Sequence, residues 1–272
     1  MGTLRRRIPF TVRHRVRRLT DRIVSTPGRA ARGAAGGEDI VSRAYSAWYV
    51  RRRFAALRKL LPSDALVFDI GANLGEWTAV LRSTGCRVVA VEPQTDCVER
   101  LRERFKRDPR VTVVAAAVGG RTGEADLFVA QGSEHTTTSR KWMDDMVSRG
   151  GFQRSYWEQA VTVPMRTLDD LIQEFGEPHY VKLDIEGSEP VALRGLSHAL
   201  PLLSFETHGE TTDDATACVE RLFQLGRYEF NLTPGDFPTP LWPEWIGGEQ
   251  LLGTLRAQAH GWHNVLARRL SA

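Results

Sequence analysis

The sequence predicts an α/β protein with an open, mostly parallel β-sheet and helices on both faces. Short apolar runs, typical of strands buried on both sides, alternate with segments whose apolar residues recur at helical spacing. Helices that separate consecutive strands imply right-handed crossover connections, and such connections make the strands parallel. The chain has 272 residues, which is enough for one large α/β domain with extensions.

The first half of the predicted domain contains an N-terminal helical extension over residues 39–61, followed by three strands with two helices between them. The strands are ALVFDI (65–70), RVVAVE (87–92) and VTVVAAAV (111–118). The first helix carries Trp77, Val80 and Leu81 at helical spacing, so these side chains share one face. The second helix ends before Asp108 and Pro109, because the residue that precedes a proline disfavours helical dihedral angles.

The second half interrupts this alternation and then resumes it. Residues 119–139 predict a β-hairpin with an exposed loop, and VTVPM (161–165) predicts a further strand. Thr167 and Asp170 form an approximate capping box for a helix that Gly176 ends. The remaining elements are the strand YVKLDI (180–185), a helix over 188–199, the strand LLSFET (202–207), a helix over 213–225 and late strands in YEFNLT (228–233) and NVLARR (264–269).

Charge divides the chain into a basic arm with a linker, residues 1–37, and a folded domain, residues 38–272. The arm holds ten arginines and one acidic residue, Asp21, for a net charge of +9. Because the whole chain carries +4, subtracting the arm leaves −5 on the domain. Apolar residues at helical spacing among the arginines predict a basic amphipathic helix on anionic lipid or an acidic partner, and a solvated arm is the alternative.

The sequence favours a cytoplasmic protein that contacts the inner membrane surface through this arm. No run of 18 apolar residues occurs, and the basic start is not followed by the apolar stretch of a signal peptide. The three cysteines are far apart and lack a Cys-x-x-Cys pair, so we expect reduced thiols without a zinc site or a disulfide. Nucleic acid is not an expected partner, because the arm has one aromatic residue, Phe10, and no recognised binding motif.

The segment VFDIGANLGEWT (67–78) joins the first strand to the first helix. In an open α/β sheet, ligands bind outside the carboxyl ends of the strands, where the strand order reverses. Gly71 allows a sharp turn and the close approach of a ligand, and Gly75 allows close packing at the helix start. The helix N-terminus contributes unpaired N–H groups and the positive end of its dipole, so this turn is a predicted binding site.

The acidic residues beside this turn predict S-adenosylmethionine as the cofactor. A dinucleotide site would read Gly-x-Gly-x-x-Gly, whereas this turn reads Gly-x-Asn-x-Gly. Asp69 would repel a pyrophosphate but can receive an ammonium group, and Glu92 can accept hydrogen bonds from both ribose hydroxyls. A turn without a ligand is one alternative, and a nicotinamide oxidoreductase, which Asn73 at the middle glycine position disfavours, is another.

Five motifs in this order resemble the FkbM family of S-adenosylmethionine-dependent methyltransferases over residues 55–270. They are VFDIGANLGEWT (67–78), VEP (91–93), RTLDDL (166–171), VKLDIEGSE (181–189) and LLSFETHG (202–209). The resemblance implies a class I methyltransferase fold, which is a Rossmann-like, seven-stranded, mostly parallel sheet with one antiparallel strand. It also implies O-methylation of a hydroxyl on a glycan, glycolipid or polyketide-type natural product.

The resemblance further implies which residues surround the cofactor. These residues are Asp69, Gly71, Ala72, Asn73, Gly75, Glu92, Pro93, Ala116 and Ala117. The sequence departs from the family after the third strand, where Ala115, Ala116 and Ala117 replace a polar residue that often precedes the turn. We therefore expect backbone groups and apolar contacts to hold the adenine. A non-catalytic protein that keeps this fold and docks through its basic arm is the alternative to an enzyme.

Methyl transfer to a hydroxyl predicts a general base at the ends of the fourth and fifth strands. An alcohol must lose its proton during attack, and a base within about 3 Å can take it. The candidates are Lys182, Asp184 and Glu186 in KLDIEGSE, and Glu206 and His208 in SFETHG. Buried charges are costly unless they are paired or functional. Asp184 could instead only neutralise Lys182, Glu186 could cap the next helix, and His208 could be an ordinary loop residue.

No dedicated metal is expected, although Asp184, Glu206 and His208 could offer ligands to magnesium. The acceptor pocket is expected in the aromatic segments 139–160 and 234–248, unless these side chains only close a satellite core. The aromatic residues are Trp142, Phe152, Tyr156, Trp157, Phe237, Trp242 and Trp245. His135, in the predicted loop, could contact the acceptor or simply be exposed.

Overall fold

The computed structural model describes residues 57–150, 152–208, 212–234, 240–257 and 262–270. The basic arm, the linker and residues 38–56 lie outside the described residues. The strands are β1 (Leu66–Ile70), β2 (Arg87–Val91), β3 (Val111–Val114), β4 (Ala117–Val118), β5 (Gly123–Ala130), β6 (Trp157–Arg166), β7 (Tyr180–Leu183), β8 (Leu202–His208), β9 (Tyr228–Pro234) and β10 (Trp262–Arg269). The α-helices are α1 (Glu76–Ser83), α2 (Thr95–Phe105), α3 (Arg140–Ser148), α4 (Leu168–Phe175), α5 (Glu189–Arg194), α6 (Thr212–Leu225) and α7 (Gly248–Ala257). Among these residues, no helix combines the length and apolar character needed to cross a membrane.

Seven strands form one sheet in the order β3-β2-β1-β7-β8-β10-β9. Every neighbouring pair is parallel except the two that involve β10, which runs antiparallel to both β8 and β9. The chain builds outward from β1 to β3 and then restarts beside β1 with β7. The strand order therefore reverses between β1 and β7, and their carboxyl ends border the crevice in which such sheets bind ligands. This confirms the predicted mostly parallel sheet with one antiparallel strand.

The central strands are buried on both faces, which explains their nearly continuous apolar sequences. Leu66, Phe68 and Ile70 of β1 pack into the larger core, which also contains residues of α4, α5, α6 and α7. Val67 points to the opposite face and packs with Leu81 of α1 in a second core, which also contains Leu57, Leu61 and Val88. Alternate side chains of one strand thus join two helical layers through the sheet.

A small second sheet, β4-β6-β5, lies in the segment that interrupts the alternation. Strand β5 pairs antiparallel with β6, which is longer than the strand predicted over 161–165. The hairpin predicted over 119–139 was wrong, because β5 finds its partner strand only after α3, where β6 begins at Trp157. The prediction of one strand over 111–118 was wrong, because β3 belongs to the large sheet and β4 to the small one. The chain changes sheet at this point, since the N–H of Gly119 donates to the carbonyl of Arg166 at the end of β6.

Helix α4 begins with the predicted capping box. The N–H of Asp170 donates to Thr167 Oγ1 at 3.0 Å, and the N–H of Thr167 donates to Asp170 Oδ2 at 2.9 Å. The helix predicted over 188–199 is shorter than expected, because α5 ends at Arg194. Gly195 follows it, and a Cβ at this position would overlap the carbonyl oxygen of Gly119.

The turn after β1 packs directly against the end of β7. Gly71 has a φ of 83°, and a Cβ at this position would overlap the carbonyl oxygen of Asp184. The N–H groups of Gly71 and Ala72 both donate to the carbonyl of Val91, at 2.9 and 3.1 Å. Gly71 makes the predicted sharp turn, and its missing Cβ also makes room for protein backbone, while the predicted approach of a ligand stays a prediction.

We expect Gly71→Ala to lower the free energy of unfolding by about 3 kcal/mol, because a new Cβ must displace the backbone of Asp184. Gly150→Ala is the matched control, since Gly150 has a φ of 72° and no heavy atom within 4 Å of an added Cβ. The control should cost about 1 kcal/mol, for the left-handed backbone alone. Urea unfolding measures both, and equal losses would contradict the packing argument.

Candidate active site

Asp69 is a buried carboxylate near the end of β1 that α1 holds in place. Its side chain is fully buried, and Thr78 Oγ1 of α1 donates to Asp69 Oδ2 at 2.6 Å. In the parallel register, Asp69 lies opposite Lys182 of β7. The structure therefore places Asp69 at the switch point of the sheet, as the sequence predicted, and its role toward an ammonium group stays a prediction.

Glu92, the residue after β2, presents a carboxylate that three donors hold. The N–H of Asn73 donates to Oε2 at 2.8 Å, and the N–H of Gln94 donates to Oε1 at 3.0 Å. The Gln94 side chain adds a third bond from Nε2 to Oε1 at 3.2 Å. Burial raises the pKa of Glu92, and these hydrogen bonds oppose the rise because they favour the ionised form. A carboxylate with two oxygens retains acceptor capacity for ribose hydroxyls.

Asn73 and Gly75 shape the turn through their backbones. Asn73 has a φ of 47°, and this left-handed conformation is one that asparagine tolerates better than most residues. Gly75 also has a positive φ, and an added Cβ would lie 2.6 Å from Leu101 Cδ2 of α2. The predicted close packing at the start of the helix is therefore confirmed. Asn73 contributes its backbone N–H to Glu92, a role that the sequence did not reveal.

The remaining predicted cofactor residues border the same edge of the sheet. Ala72 is buried with Leu101, and Pro93 follows Glu92 and is half-buried. Ala116 is buried in the connection between β3 and β4, whereas Ala117 packs with Leu127 in the core of the small sheet. The adenine contacts of these two alanines stay predictions.

The ends of β7 and β8 bring together the predicted catalytic residues. Lys182 is 2% exposed, and its Nζ donates to Asp184 Oδ2 at 2.6 Å. Nζ also lies 5.4 Å from the centroid of the Trp77 ring, which is a cation–π distance. Asp184 is more open than Lys182, with 25% of its side chain exposed. A buried ammonium group is thus paired with a carboxylate that solvent or an acceptor can reach.

Asp184, Glu186 and Glu206 form a carboxylate cluster. One oxygen atom from each lies within 4.8 Å of the others. Burial, followed by the charges of Asp184 and Glu189, raises the pKa of Glu186 well above 4.5, and Lys182 opposes this rise. Oε2 of Glu186 is buried and has no hydrogen-bond partner within the described part of the chain. The magnesium hypothesis named Asp184, Glu206 and His208, whereas the oxygen ligands that the structure brings together are those of Asp184, Glu206 and Glu186.

Glu189 organises the turn that carries this cluster. It is 4% exposed, and its Oε1 accepts a hydrogen bond from the N–H of Ile185 at 2.9 Å. Burial raises the pKa of Glu189 to about 7, although hydrogen bonds from the N–H groups of Ile185 and Gly187 oppose the rise. Glu186 was considered as a cap for the next helix, but that helix has no side-chain cap at Ser188, and Oε2 of Glu186 has no hydrogen-bond partner within the described residues. The place of Glu189 in the first turn of a helix was the one signal for its role in the sequence.

Glu206 belongs to β8, as predicted, whereas His208, predicted to lie just past the strand, is its last residue. Glu206 lies opposite Asn264 of β10, and His208 lies opposite Trp262. Both positions are near the carboxyl end of β8, next to the end of β7. The side chain of His208 lies outside the described residues, so its catalytic role stays a prediction.

Residues 131–139, which we call the bridging loop, lie within the segment 119–139 that was predicted as a hairpin with an exposed loop, and they contact the turn after β7. Thr137 is 1% exposed, and its hydroxyl donates to the carbonyl of Glu186 at 2.7 Å. The hydroxyls of Thr138 and Ser188 are 2.8 Å apart. Gln131, Gly132 and Glu134 are exposed as predicted, but the prediction was wrong for Thr137. The hydroxyls of Thr137 and Thr138 find partners about 50 residues away in the chain, where local sequence patterns carry no information.

The aromatic residues of segment 139–160 form a satellite core around His135. This core contains Trp142, Phe152, Tyr156 and Trp157, and the His135 ring lies 4.9 Å from that of Phe152. Trp142 packs so closely on Gly187 that a Cβ there would overlap its ring, so the core adjoins the carboxylate turn. Phe152, Tyr156 and His135 are half-buried and keep part of their surfaces open.

The second predicted aromatic segment lies elsewhere. Trp242 packs against the larger core, and Trp245 packs against the second core with Arg268 over its ring at 4.3 Å from the centroid. Phe237 lies outside the described residues. Of the two segments, the satellite core is therefore the one that the structure brings to the carboxylate cluster.

The fold and the site together define a class of protein. A seven-stranded sheet with one antiparallel strand, a glycine turn after its first strand and a buried carboxylate after its second are the features of a class I S-adenosylmethionine-dependent methyltransferase. A family model described as the methyltransferase FkbM domain matches residues 69–229. The chain therefore belongs to the FkbM methyltransferase family, and S-adenosylmethionine is the cofactor of this domain.

Individual relatives are more distant. The hexuronic acid methyltransferase AglP of Haloferax volcanii is 27% identical over 144 residues, and the match spans 52% of this chain and 54% of that protein. The precorrin-6y C5,15-methyltransferase of Geobacter metallireducens has a TM-score of 0.42 at 12% identity, covering 88% of this chain and 94% of its own. A TehB-like S-adenosylmethionine-dependent methyltransferase of Corynebacterium glutamicum has a TM-score of 0.42 at 13% identity, covering 96% and 97%.

We expect Glu92→Ala to raise the dissociation constant for S-adenosylmethionine by roughly 10- to 150-fold, because losing charge-assisted hydrogen bonds costs about 1.5–3 kcal/mol. Glu99→Ala is the control, since Glu99 is an exposed residue of α2. Calorimetry with S-adenosylmethionine, S-adenosylhomocysteine and NAD measures the affinities. An unchanged dissociation constant in Glu92→Ala would show that Glu92 does not bind the ribose of the cofactor.

Proposed function

We propose that this protein is an O-methyltransferase that acts on a hydroxyl group of a glycan, glycolipid or polyketide-type natural product. The observation that carries the proposal is the carboxylate cluster of Asp184, Glu186 and Glu206, which directly adjoins the cofactor turn. The contact between Gly71 and the backbone of Asp184 supports this adjacency, because Gly71 belongs to the cofactor turn and Asp184 belongs to the carboxylate cluster. A proton acceptor thus lies beside the expected methyl donor.

The cofactor turn and the carboxylate cluster have different roles in the proposed reaction. When bound, S-adenosylmethionine supplies a methyl group on a sulfonium, and transfer forms an O–CH₃ bond as the C–S bond breaks. The sulfonium needs no activation, so the chain mainly positions the acceptor oxygen in line with that bond. The acceptor loses its hydroxyl proton to a carboxylate oxygen of the cluster, and the displaced electron pair remains on sulfur in the neutral thioether product.

Asp184 is the residue that best fits the role of proton acceptor. Its Oδ2 accepts a hydrogen bond from Lys182 Nζ at 2.6 Å, and a neighbouring ammonium group favours the ionised carboxylate. Its partial exposure lets an acceptor approach. Glu186 differs because its raised pKa keeps a proton on it to higher pH, and a protonated carboxyl can donate a hydrogen bond to the acceptor.

Two observations support a sugar-like acceptor. The satellite core adjoins the carboxylate turn through the contact between Trp142 and Gly187, and sugars combine apolar ring faces with hydroxyl donors, which match an aromatic core beside carboxylates. The relative from Haloferax volcanii is a hexuronic acid methyltransferase. Because three carboxylates surround the reacting position, we expect an acceptor to present a neutral hydroxyl there and to direct any acidic group of its own away.

We expect Asp184→Asn to reduce the single-turnover rate by roughly 10²- to 10⁴-fold while S-adenosylmethionine binding survives, because the change removes the base and keeps the shape. The acceptor is found by screening neutral glycosides, uronosides and macrolides for release of S-adenosylhomocysteine. Asp126→Asn, an exposed residue of β5, is the control.

Three outcomes would contradict the mechanism. A normal rate with stability lowered by about 3–5 kcal/mol would mean that Asp184 only neutralises the buried Lys182. Loss of wild-type activity on addition of a chelator would favour a divalent cation on the carboxylate cluster. A product methylated on nitrogen, identified by nuclear magnetic resonance, would overturn O-methylation.

We also propose that the basic arm holds the enzyme at an anionic membrane surface on the cytoplasmic side. The net charge of +9 over residues 1–37 supports this, because each arginine near such a surface contributes about 1 kcal/mol. Deleting residues 1–30 should lower affinity for phosphatidylserine vesicles and leave affinity for S-adenosylmethionine unchanged. Equal vesicle binding by both forms would remove the membrane role.

A further inference from the structure

Gln94, two residues after β2, connects the ribose carboxylate to the bridging loop. Its Nε2 donates to Glu92 Oε1 at 3.2 Å and to the carbonyl of Ser133 at 3.0 Å. Its Oε1 accepts a hydrogen bond from Thr136 Oγ1 at 3.1 Å. One amide group therefore contacts the cofactor side of the site and two positions of the loop, 39 and 42 residues further along the chain.

The hydrogen-bonding chemistry allows only one orientation of this amide. Both partners of Nε2, the Glu92 carboxylate and the Ser133 carbonyl, are acceptors, so the nitrogen must face them. Thr136 Oγ1 accepts from the N–H of Ala130 at 3.1 Å and therefore directs its own proton at Gln94 Oε1. A flipped amide would place its oxygen against two acceptor atoms, so the network defines the position of Gln94.

The other end of the bridging loop reaches the carboxylate cluster. Thr137, next to Thr136, donates from its hydroxyl to the carbonyl of Glu186 and accepts at the same atom from the N–H of Ser139 at 2.8 Å. Thr138 pairs with Ser188 across the same turn. Hydrogen bonds therefore link Glu92 through Gln94 to Thr136, and the backbone of the loop carries the connection to Thr137, which bonds the turn that carries Glu186.

We propose that Gln94 is a positioning residue that couples cofactor binding to the order of the acceptor site. When the ribose hydroxyls hold Glu92, Glu92 holds the Gln94 amide, and the amide holds Ser133 and Thr136 in place. The bridging loop then holds the turn of Glu186. Coupling of this kind is reciprocal, so disturbing the loop must weaken cofactor binding by the factor by which the cofactor stabilises the loop.

Hydrogen exchange of the full-length protein, with and without saturating S-adenosylhomocysteine, tests the coupling. In the wild type, the ligand should slow exchange within residues 131–139 by about 10-fold, which is within the usual range of coupling between sites. In Gln94→Met, the ligand should bind about 10-fold more weakly and the slowing should disappear even at saturation. In Thr136→Val, which is not predicted to touch the cofactor, affinity should fall by about 5-fold.

Two controls separate positioning from general destabilisation. Gln173→Met changes an exposed glutamine of α4 and should leave affinity and loop exchange unchanged. Hydrogen exchange in β7 reports whether each variant is folded. If Gln94→Met does not fold, Thr136→Val alone tests the coupling. Ligand-dependent slowing that persists in the folded variants, or wild-type affinity in both, would overturn the proposal. These measurements need no acceptor, so they stand apart from the test of O-methylation.

Discussion

The contact between Gly71 and the backbone of Asp184 holds the two sides of the site together. Gly71 belongs to the turn that carries the cofactor residues, and Asp184 belongs to the carboxylate cluster. The contact exists because β1 and β7 are parallel neighbours, with Asp69 opposite Lys182, so both strands end at the same edge of the sheet. The cofactor turn and the carboxylate cluster both take their positions from this pair of strand ends.

Charge is the second constraint, because several acids among the described residues share a partly buried region with Lys182. Lys182 is buried and directly paired with Asp184. Burial is the main cause that raises the pKa of Glu186 and of Glu189, and the charge of Asp184 adds to the rise. The site therefore combines a lysine-paired carboxylate with carboxyl groups that hold a proton to higher pH than usual. This arrangement suits proton transfer from a hydroxyl.

Much of the site could be predicted because its signals are local in the sequence. The glycine turn, Asp69 and Glu92 lie at or after the ends of apolar strands, and the two residues of the capping box, Thr167 and Asp170, are only three positions apart. Lys182 and Asp184 stood out as charges in an apolar strand. Pairing of these two residues was considered as an alternative to catalysis. The structure shows that they are paired at 2.6 Å and that Asp184 is nevertheless partly exposed.

The class of fold, the cofactor turn and the strands that carry the acids follow from the sequence alone, because hydrophobic period and turn chemistry act over a few residues. Three features follow only from the three-dimensional arrangement: residues 111–118 divide between two sheets, Thr137 of the bridging loop is buried against the turn of Glu186, and Gln94 links that loop to Glu92. These features rest on hydrogen bonds between residues 39 to 50 positions apart. Partners at such distances in the chain meet only once the sheet has brought its strand ends to a common edge.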